Sequence, residues 1–396
     1  MRTLFAALLW MAGLTASAQS WSAGPPMPTP RAGAAVAVLD DRVYVIGGRD
    51  ATGKPLAAAE VFTPGVGWSA LEDLDEARAD AAALVIDGQV VVLGGRDTDG
   101  DALDDAEAYD AVRGRWESFE GLETEREGLG AAVVAGVPYA VGGADEDGDL
   151  LDTVEAYDGE WSEDDDWTLA PGRAQAGVVS AGGALVVVGG FSALGPLARA
   201  ERFDPGAGAS ALPDLPVARG GLAAAARGDR VFVVGGRDSG DGVRAEAHHL
   251  ALGDGAWAAL PGLPSPRESA VAAVVGNQLI VIGGADAFGG VLASVTQLSL
   301  EGIATGPGPD SGPSLAVAGA NPTRGGTAFE IRTVRPGPAR LSVLDVLGRE
   351  VAVLWDRVLG PTAVRVAWRG DVPPGLYLVR LAGPDGTATA RVTVAR

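Results

Sequence analysis

The sequence lacks cysteine and contains almost no histidine or lysine. Its 396 residues include no Cys, only two His and a single lysine, Lys54. The absence of cysteine excludes disulfide frameworks, thiolate metal sites and cysteine nucleophiles. The two histidines, His248 and His249, are adjacent, so they do not suit a multi-histidine metal site or a separated Ser-His-Asp triad.

Positive charge is also scarce. There are 30 Lys+Arg against 52 Asp+Glu, a net charge of −22, which argues against nucleic acid and anionic membrane surfaces as partners. The excess of acid lies in residues 19–311, whose net charge is −28, whereas residues 312–396 carry +5. Two domains with different surface chemistry are predicted. The acidity is equally explained as a solubility property of a protein from a saline habitat.

Only the first residues form a long apolar run. Arg2 is followed by the apolar segment Leu4–Leu14 and then by the small residues Ala16–Ala18. This order predicts a secretory signal peptide over residues 1–18, cleaved after Ala18. We therefore expect the mature protein to be extracytoplasmic, without a transmembrane segment.

The remaining sequence is dominated by an internal repeat. Gly-Gly pairs end β-branched runs, and successive pairs are 47, 48, 47, 46 and 48 residues apart. An arginine precedes each pair by 16 residues, and in four repeats a tryptophan precedes that arginine by ten. The pairs are Gly47–Gly48, Gly94–Gly95, Gly142–Gly143, Gly189–Gly190, Gly235–Gly236 and Gly283–Gly284; the arginines are Arg31, Arg78, Arg126, Arg173, Arg219 and Arg267; the tryptophans are Trp21, Trp68, Trp116 and Trp257.

Each repeat has the pattern of four short strands. In the second repeat, Ala81–Ile86 and Gln89–Leu93 flank the turn Asp87–Gly88, and further strands are predicted near Ala106–Tyr109 and Arg115–Phe119. Four strands per unit, repeated radially, predict a β-propeller.

The Gly-Gly pair, the aromatic residue of the third strand and the Trp of the fourth strand resemble the kelch repeat. The resemblance spans roughly Ser20–Leu300 and implies a six-bladed kelch β-propeller over residues 19–300, in an all-β protein. The mature chain, after residue 18, starts with a fourth-strand motif, and the sixth repeat stops after its third strand. We therefore expect the N-terminal strand to complete the last blade. Departures from the pattern are Ala209 in place of Trp, His248 in place of a third-strand aromatic, and a shift around Trp161–Trp167.

The C-terminal part has a different pattern. Residues 301–314 are rich in Gly and Pro and predict a linker, and residues 315–396 alternate like a small Ig-like β-sandwich. This segment resembles the C-terminal sorting domain of the type IX secretion system of Bacteroidetes-like bacteria. The resemblance implies that the protein passes through the periplasm, is exported by that machinery, and is secreted or held on the outer-membrane surface. The alternative is a plain Ig-like module. The residues that carry the resemblance include Asn321, Pro322, Asp345, Gly348, Arg349, Gly375 and Tyr377.

Recurrent charged residues are interpreted as structural. A glutamate recurs in five repeats, at Glu60, Glu107, Glu155, Glu201 and Glu246, and with the repeated arginines it predicts ion pairs between strands. Three further arginines, Arg49, Arg96 and Arg237, directly follow Gly-Gly pairs. We expect these to reach one face of the disc, where they could contact a ligand.

Two loops carry aspartates at alternate positions with a glycine between them, a pattern that calcium loops use. Calcium is the only cofactor that the sequence suggests, and a solvated acidic loop is the alternative. The candidate ligands are Asp97, Asp99, Asp101, Asp104, Asp145, Asp147 and Asp149.

The function favoured by these observations is a binding module that recognises an extracellular protein or glycan with its loop face. No catalytic residues are assigned. One alternative is an enzyme similar to the six-bladed kelch sialic-acid mutarotases, and another is an adhesion or structural surface protein without a discrete ligand. A copper oxidase like the kelch-containing galactose oxidases is disfavoured, because it needs a Cys crosslink and spaced His ligands.

Overall fold

The computed structural model describes residues 19–204 and 208–303, and in the C-terminal part residues 314–317, 327–332, 337–345, 349–359, 364–369, 372–383 and 386–394. Within these ranges the regular secondary structure consists of β-strands, with no helix. Accordingly, no described segment forms a helix that could cross a membrane.

Six antiparallel sheets of four strands follow one another between residues 21 and 299. The first strand of the chain, β1 (Trp21–Ala23), belongs to the last of them. Sheet 1 contains β2 (Ala35–Leu39), β3 (Arg42–Ile46), β4 (Ala59–Thr63) and β5 (Gly67–Ala70); sheet 2 contains β6 (Ala82–Ile86), β7 (Gln89–Leu93), β8 (Ala106–Asp110) and β9 (Arg115–Phe119); sheet 3 contains β10 (Gly130–Val134), β11 (Val137–Val141), β12 (Thr153–Tyr157) and β13 (Trp161–Thr168).

The next three sheets have the same order. Sheet 4 contains β14 (Gly177–Ala181), β15 (Ala184–Val188), β18 (Ala200–Asp204) and β19 (Gly208–Leu212), with a small hairpin of β16 (Phe191–Ser192) and β17 (Gly195–Pro196) between β15 and β18; sheet 5 contains β20 (Ala223–Arg227), β21 (Arg230–Val234), β22 (Ala247–Ala251) and β23 (Ala258–Leu260); sheet 6 contains β24 (Val271–Val275), β25 (Gln278–Ile282), β26 (Val295–Ser299) and β1.

The Gly-Gly pairs are required by backbone geometry at the end of each second strand. Gly47 and Gly48 have φ values of 61° and 96°, in the left-handed region that favours glycine. A Cβ atom on Gly47 would also lie 2.4 Å from the carbonyl oxygen of Arg78 in the next repeat. The pair therefore allows two repeats to approach closely as the chain leaves the strand.

The N-terminal strand is the fourth strand of sheet 6. β1 pairs with β26 in antiparallel register, with Trp21 opposite Leu298. The Trp21 indole donates a hydrogen bond of 2.8 Å to the carbonyl oxygen of Pro261 in the preceding sheet. Trp257 makes the equivalent bond, also 2.8 Å, to Pro213. β1 thus takes the position that the phase of the repeat predicts for it.

The six sheets close into a ring around an axis. The residue two positions after the repeated arginine joins each sheet to its neighbour. Its backbone N–H donates to the carbonyl oxygen of the equivalent residue in the preceding repeat, at 2.6 to 3.0 Å. The last bond runs from Gly33 back to Ser269, so the six bonds form a closed circle. The residues of this axial amide ring are Gly33, Asp80, Gly128, Gln175, Gly221 and Ser269.

The hydrophobic core lies between neighbouring sheets. Tyr44 of sheet 1 packs in one buried cluster with Tyr109 and Trp116 of sheet 2. Their ring centroids lie 6.3 Å (Tyr44 to Tyr109) and 5.2 Å (Tyr109 to Trp116) apart. Aromatic side chains thus fill the space between neighbouring sheets, while the first strand of each sheet is rich in alanine.

Sheets 3 and 4 are the irregular pair. β13 is eight residues long, and its register with β12 shifts between Thr153 and Glu155. Ala209 lies opposite Phe203, where Trp68 lies opposite Phe62 in sheet 1. Trp167 of β13 stacks on Tyr139 at 4.5 Å and lies 5.8 Å from Phe203. Trp167 therefore fills from sheet 3 part of the space that a tryptophan at position 209 would occupy.

The C-terminal part contains two further sheets with a shared core built around Phe329, Leu341, Trp368 and Val379. One sheet has three strands and the other four. Their strands are β27 (Ser314–Val317), β28 (Thr327–Arg332) and β31 (Val364–Trp368), and β30 (Glu350–Leu359), β29 (Gly337–Leu344), β32 (Gly375–Gly383) and β33 (Gly386–Val394).

Several residues of the predicted sorting domain can be placed in these sheets. Asp345 forms an ion pair of 2.7 Å with Arg349, and the buried Tyr377 donates its hydroxyl to the carbonyl oxygen of Pro373 at 2.7 Å. Gly375 begins β32. Asn321, Pro322 and Gly348 lie outside the described residues, as does most of the predicted linker.

Candidate functional site

The six repeated arginines are fully buried and join the strands of their sheets. Arg31 donates from Nη1 to the carbonyl oxygen of Gly47 at 2.9 Å, and from Nη2 to Glu60 at 2.9 Å. Arg78, Arg126 and Arg173 make the same two kinds of contact, with Glu107, Glu155 and Glu201 as the carboxylates. Because both charges of each pair are buried, their role is to fix geometry within the sheet.

The fifth repeat corrects the prediction for two residues. His248 lies opposite Val233, the register position that Glu60 takes opposite Val45, and its Nδ1 accepts a hydrogen bond of 3.0 Å from Arg219. The prediction that Glu246 is the fifth repeated glutamate is therefore wrong. Its side chain pairs with Arg244 at 3.3 Å.

The prediction that His248 stands in a third-strand aromatic position is also wrong. Phe62 lies two residues after Glu60, and the residue two positions after His248 is Leu250. His248 follows Arg219 by 29 residues and Gly235 by 13, the same separations that Glu60 has from Arg31 and Gly47, whereas Glu246 follows Gly235 by only 11.

Replacing a carboxylate by an imidazole changes the electrostatics of the fifth repeat. Burial lowers the pKa of Arg219 to about 10, even though Glu246 acts in the opposite direction. Burial and the neighbouring Arg219 charge lower the pKa of His248. In the sixth repeat, Thr296 follows Arg267 by the same 29 residues, and Arg267 donates to the carbonyl oxygen of Gly283 at 3.1 Å and to Ser265 Oγ at 3.2 Å.

The axial amide ring lines the mouth of an open depression with a cavity volume of about 100 Å³. All six residues have positive φ, between 49° and 63°. Glycine occupies the position in the odd-numbered repeats, and Asp80, Gln175 and Ser269 occupy it in the even-numbered ones. Three polar side chains therefore alternate with three glycines around the axis. A channel lined by small residues of the first strands continues below the mouth.

The three loop arginines lie around this mouth. Arg49, Arg96 and Arg237 form β-bridges with the residues directly before the axial positions, namely Ala32, Ala79 and Gly220. The structure thus brings the sequence-predicted ligand residues to one face.

Each of these arginines is paired with a carboxylate of the following repeat. Arg49 Nη1 lies 2.9 Å from Asp80, and its Nη2 donates to Ser269 Oγ at 3.3 Å, so the guanidinium crosses over the mouth. Arg96 lies 3.1 Å from Glu127, and Arg237 donates to Glu268 at 2.6 Å. Each pair joins one positive and one negative side chain, so the three ion pairs add no net charge to the mouth.

Two carboxyl groups of this face have raised pKa values. Burial raises the pKa of Asp80, although Arg49 and Arg96 act against the shift. Burial also raises the pKa of Glu127, against the effect of Arg96. Both groups therefore hold a proton more readily than an exposed carboxyl.

Sequence reasoning missed Asp80, Gln175 and Ser269, which line the mouth, and Phe191, which lies beside Gly220 on the same face. The available signal was the constant offset of two residues from each buried arginine, at which three of the six residues are glycine. Phe191 directly follows a Gly-Gly pair, as the three loop arginines do.

The first aspartate of each acidic loop serves the loop's own backbone. Asp97 Oδ1 accepts hydrogen bonds from the N–H groups of Asp99, Gly100 and Asp101, and Asp145 Oδ1 accepts one from Asp149. The equivalent aspartates of three other repeats do the same; they are Asp50, Asp238 and Asp286.

The other calcium candidates, Asp104 and Asp147 among them, are exposed. Within the described part of the chain, no three His, Asp or Glu side chains form a group that could hold a metal ion. Calcium binding stays a prediction without support from this geometry.

Comparison with known proteins identifies the repeat. The family model for the Kelch motif matches residues 30–65, 77–122 and 172–209. The chain contains kelch motifs.

A solved structure, "Structure of YjhT", is similar to this chain with a TM-score of 0.61 and 19% sequence identity, over 70% of this chain and 97% of that one. At this identity the similarity shows the fold alone, a kelch-repeat β-propeller. No curated protein matches the sequence.

Proposed function

We propose that the protein is a binding module whose six sheets are the blades of one kelch propeller, closed by the N-terminal strand, and whose axial face recognises an extracellular ligand. One observation carries this proposal. Polar side chains from every repeat of the ring converge on the same open mouth. The arginine–carboxylate pairs of Arg49, Arg96 and Arg237 surround it, and side chains of Gln175 and Ser269 line it. Concave sites with a few fixed polar groups are the usual ligand sites of proteins.

The binding test compares two sets of arginines. The full chain is applied to arrays of glycans and of extracellular protein fragments, with and without Ca²⁺. A triple variant, Arg49→Ala, Arg96→Ala and Arg237→Ala, should lose binding at least about tenfold, since each change removes an ion pair that orders one side of the mouth. The control, Arg113→Ala with Arg115→Ala, alters an exposed cluster at the turn between β8 and β9, at the opposite ends of the strands. Equal binding by the triple variant and the wild type would place the ligand elsewhere.

We also propose that the C-terminal sheets form an Ig-like sorting domain that directs export by the type IX machinery. Their separate core, the switch from net negative to net positive charge, and the resemblance around Asp345, Arg349 and Tyr377 support this role. Removing residues 315–396 should leave the protein in the periplasm, as measured by cell fractionation and surface labelling. Normal surface delivery of the truncated protein would refute the sorting role.

An isomerase of a small acidic sugar, like the sialic-acid mutarotases, is the second candidate. The upward shifts in the pKa of Asp80 and of Glu127 favour it, because a carboxyl that acts as a general acid needs a pKa above its ordinary value. The test is the rate of anomer exchange of sialic acid measured by NMR. Acceleration by the wild type that is lost in Asp80→Asn would support the enzyme, and no acceleration would exclude this reaction.

A further inference from the structure

We infer that the axial mouth binds the neutral end of a saccharide, in a pocket formed around Gly220 and Gly221 by Phe191, Gln175 and Ser269. This inference rests on the proposed function as a binding module, and it names the class of ligand.

The pocket exists because the fifth repeat has no side chain at the axial position or directly before it. The two residues after its buried arginine are Gly220 and Gly221, whereas every other repeat carries at least one side chain at these two positions. Gly221 has a φ of 59°, but Gly220 has no positive φ, so its backbone does not require glycine. What requires glycine is Phe191, because a Cβ atom on Gly220 would lie 2.3 Å from a carbon of the phenyl ring.

Phe191 supplies an apolar wall beside this opening. Its position, directly after the Gly-Gly pair of the fourth repeat, is occupied by Arg or Ala in the other five repeats. The ring is partly exposed and lies next to Gly220, within the face that carries the arginine–carboxylate pairs. An aromatic side chain that remains exposed at a polar mouth offers a surface for the C–H groups of a sugar ring.

Gln175 and Ser269 supply uncommitted hydrogen-bonding groups on either side of Gly221. The Gln175 Oε1 and Ser269 Oγ atoms lie 3.5 and 3.6 Å from the place where a Gly221 Cβ would be. Among the described residues, the side-chain amide of Gln175 has no hydrogen-bond partner. Ser269 Oγ accepts from Arg49, which leaves its own hydrogen free to be donated. An amide and a hydroxyl together match vicinal sugar hydroxyls, which both donate and accept.

The charges favour a neutral ligand over an acidic one. Every loop arginine at the mouth is already paired with a carboxylate, so an anionic ligand would have to displace Asp80, Glu127 or Glu268. The whole chain also carries a net charge of −22 and repels anions. The depression is open and small, about 100 Å³, so it can take one end of a glycan and leave the rest of the chain in solvent.

The test uses two variants that other repeats already contain. Phe191→Ala reproduces Ala144 and Ala285, and Gln175→Gly reproduces the glycines of the odd-numbered repeats, so neither change should disturb the fold. The control is Phe288→Ala, which removes a 98% exposed phenyl ring from a loop of the sixth repeat. The full chain is screened on neutral oligosaccharides of glucose, mannose, galactose and xylose, on sialic-acid- and uronic-acid-terminated glycans, and on peptides.

The affinity for the best neutral oligosaccharide is then measured by calorimetry. We expect each pocket variant to bind it at least about tenfold more weakly, and the control to bind it like the wild type. A third pocket variant, Gly220→Ala, should weaken binding by displacing the ring of Phe191.

The outcomes separate this inference from the proposed function. Neutral-saccharide binding that is lost in the pocket variants and kept in the control supports both. Binding that the pocket variants leave unchanged, or that is confined to acidic glycans or peptides, overturns the saccharide pocket and keeps the binding module. Absence of binding to every probe overturns both.

Discussion

At the residue scale, four of the six buried arginines are neutralised by one glutamate from the third strand of their sheet. Glu155 shows how complete the arrangement is. Its carboxylate accepts from Arg126 and from the backbone N–H groups of Glu123 at 2.8 Å and Thr124 at 3.1 Å. One side chain therefore neutralises a buried charge and also fixes the loop that leads into its own sheet.

We expect Glu155→Gln to lower the free energy of unfolding by about 3–5 kcal/mol, because it leaves the Arg126 guanidinium buried without an anion. Urea unfolding followed by tryptophan fluorescence measures the change. The matched control, Glu117→Gln, removes a carboxylate from the exposed cluster with Arg113 and Arg115 and should have little effect. Equal effects of the two changes would contradict the structural role of the buried pair.

His248 predicts a pH dependence that the glutamate-containing repeats do not have. Its pKa is below the usual value of 6.5 in the folded protein, so the unfolded chain binds the proton more readily. The stability contributed by neutral His248 is therefore complete above pH 6.5 and is lost as the pH falls below that value.

Unfolding midpoints in urea at pH 7.5 and 5.5 test this dependence, and His248→Gln should show a smaller loss than the wild type. His249, whose pKa is also lowered by burial and by Arg230, keeps part of the effect in the variant. A variant that loses as much stability as the wild type would show that His248 is protonated in the fold.

At the element scale, the N-terminal strand behaves as an integral strand of sheet 6. Trp21 of β1 and Trp257 at the start of the fourth strand of sheet 5 donate the same hydrogen bond to the preceding sheet. We expect Trp21→Ala and Trp257→Ala to destabilise the protein by similar amounts, each about 3 kcal/mol.

Thermal unfolding by circular dichroism compares the two tryptophan variants. If β1 were a loose arm, Trp21→Ala would leave the transition where it is in the wild type, while Trp257→Ala would lower it.

At the whole-molecule scale, the axial amide ring links every sheet to the next. Since the six bonds form a closed circle, opening one place requires neighbouring sheets to separate, and we expect the six amides to exchange hydrogen slowly and together. Hydrogen exchange measured by NMR tests this, with a variant lacking residues 19–23 for comparison. Much faster exchange of the Gly33 amide than of Gln175 in the wild type would indicate that the ring is open between sheets 6 and 1.

The sequence predicts the features that recur and misses those that depend on distances between repeats. The constant spacing of Gly-Gly pairs, arginines and tryptophans predicts the number of sheets and the place of β1. It does not reveal that Arg49 crosses to Asp80 and Ser269, because these residues come close only when the ring is closed. Glu246 was matched to the other glutamates by residue type, although His248 has the spacing from Arg219 that Glu60 has from Arg31. Gln175 and Phe191 were missed because neither residue repeats.

The pairing of β1 with β26 has a consequence for how such a protein can change its size in evolution. Because the chain begins with the fourth strand of sheet 6, the repeat read along the sequence starts one strand before each four-stranded sheet. Duplication or loss of one complete unit anywhere in the gene therefore leaves every sheet with four strands, and the two ends still meet in the same sheet. The circle can be enlarged or reduced without exposing an unpaired edge that would promote aggregation.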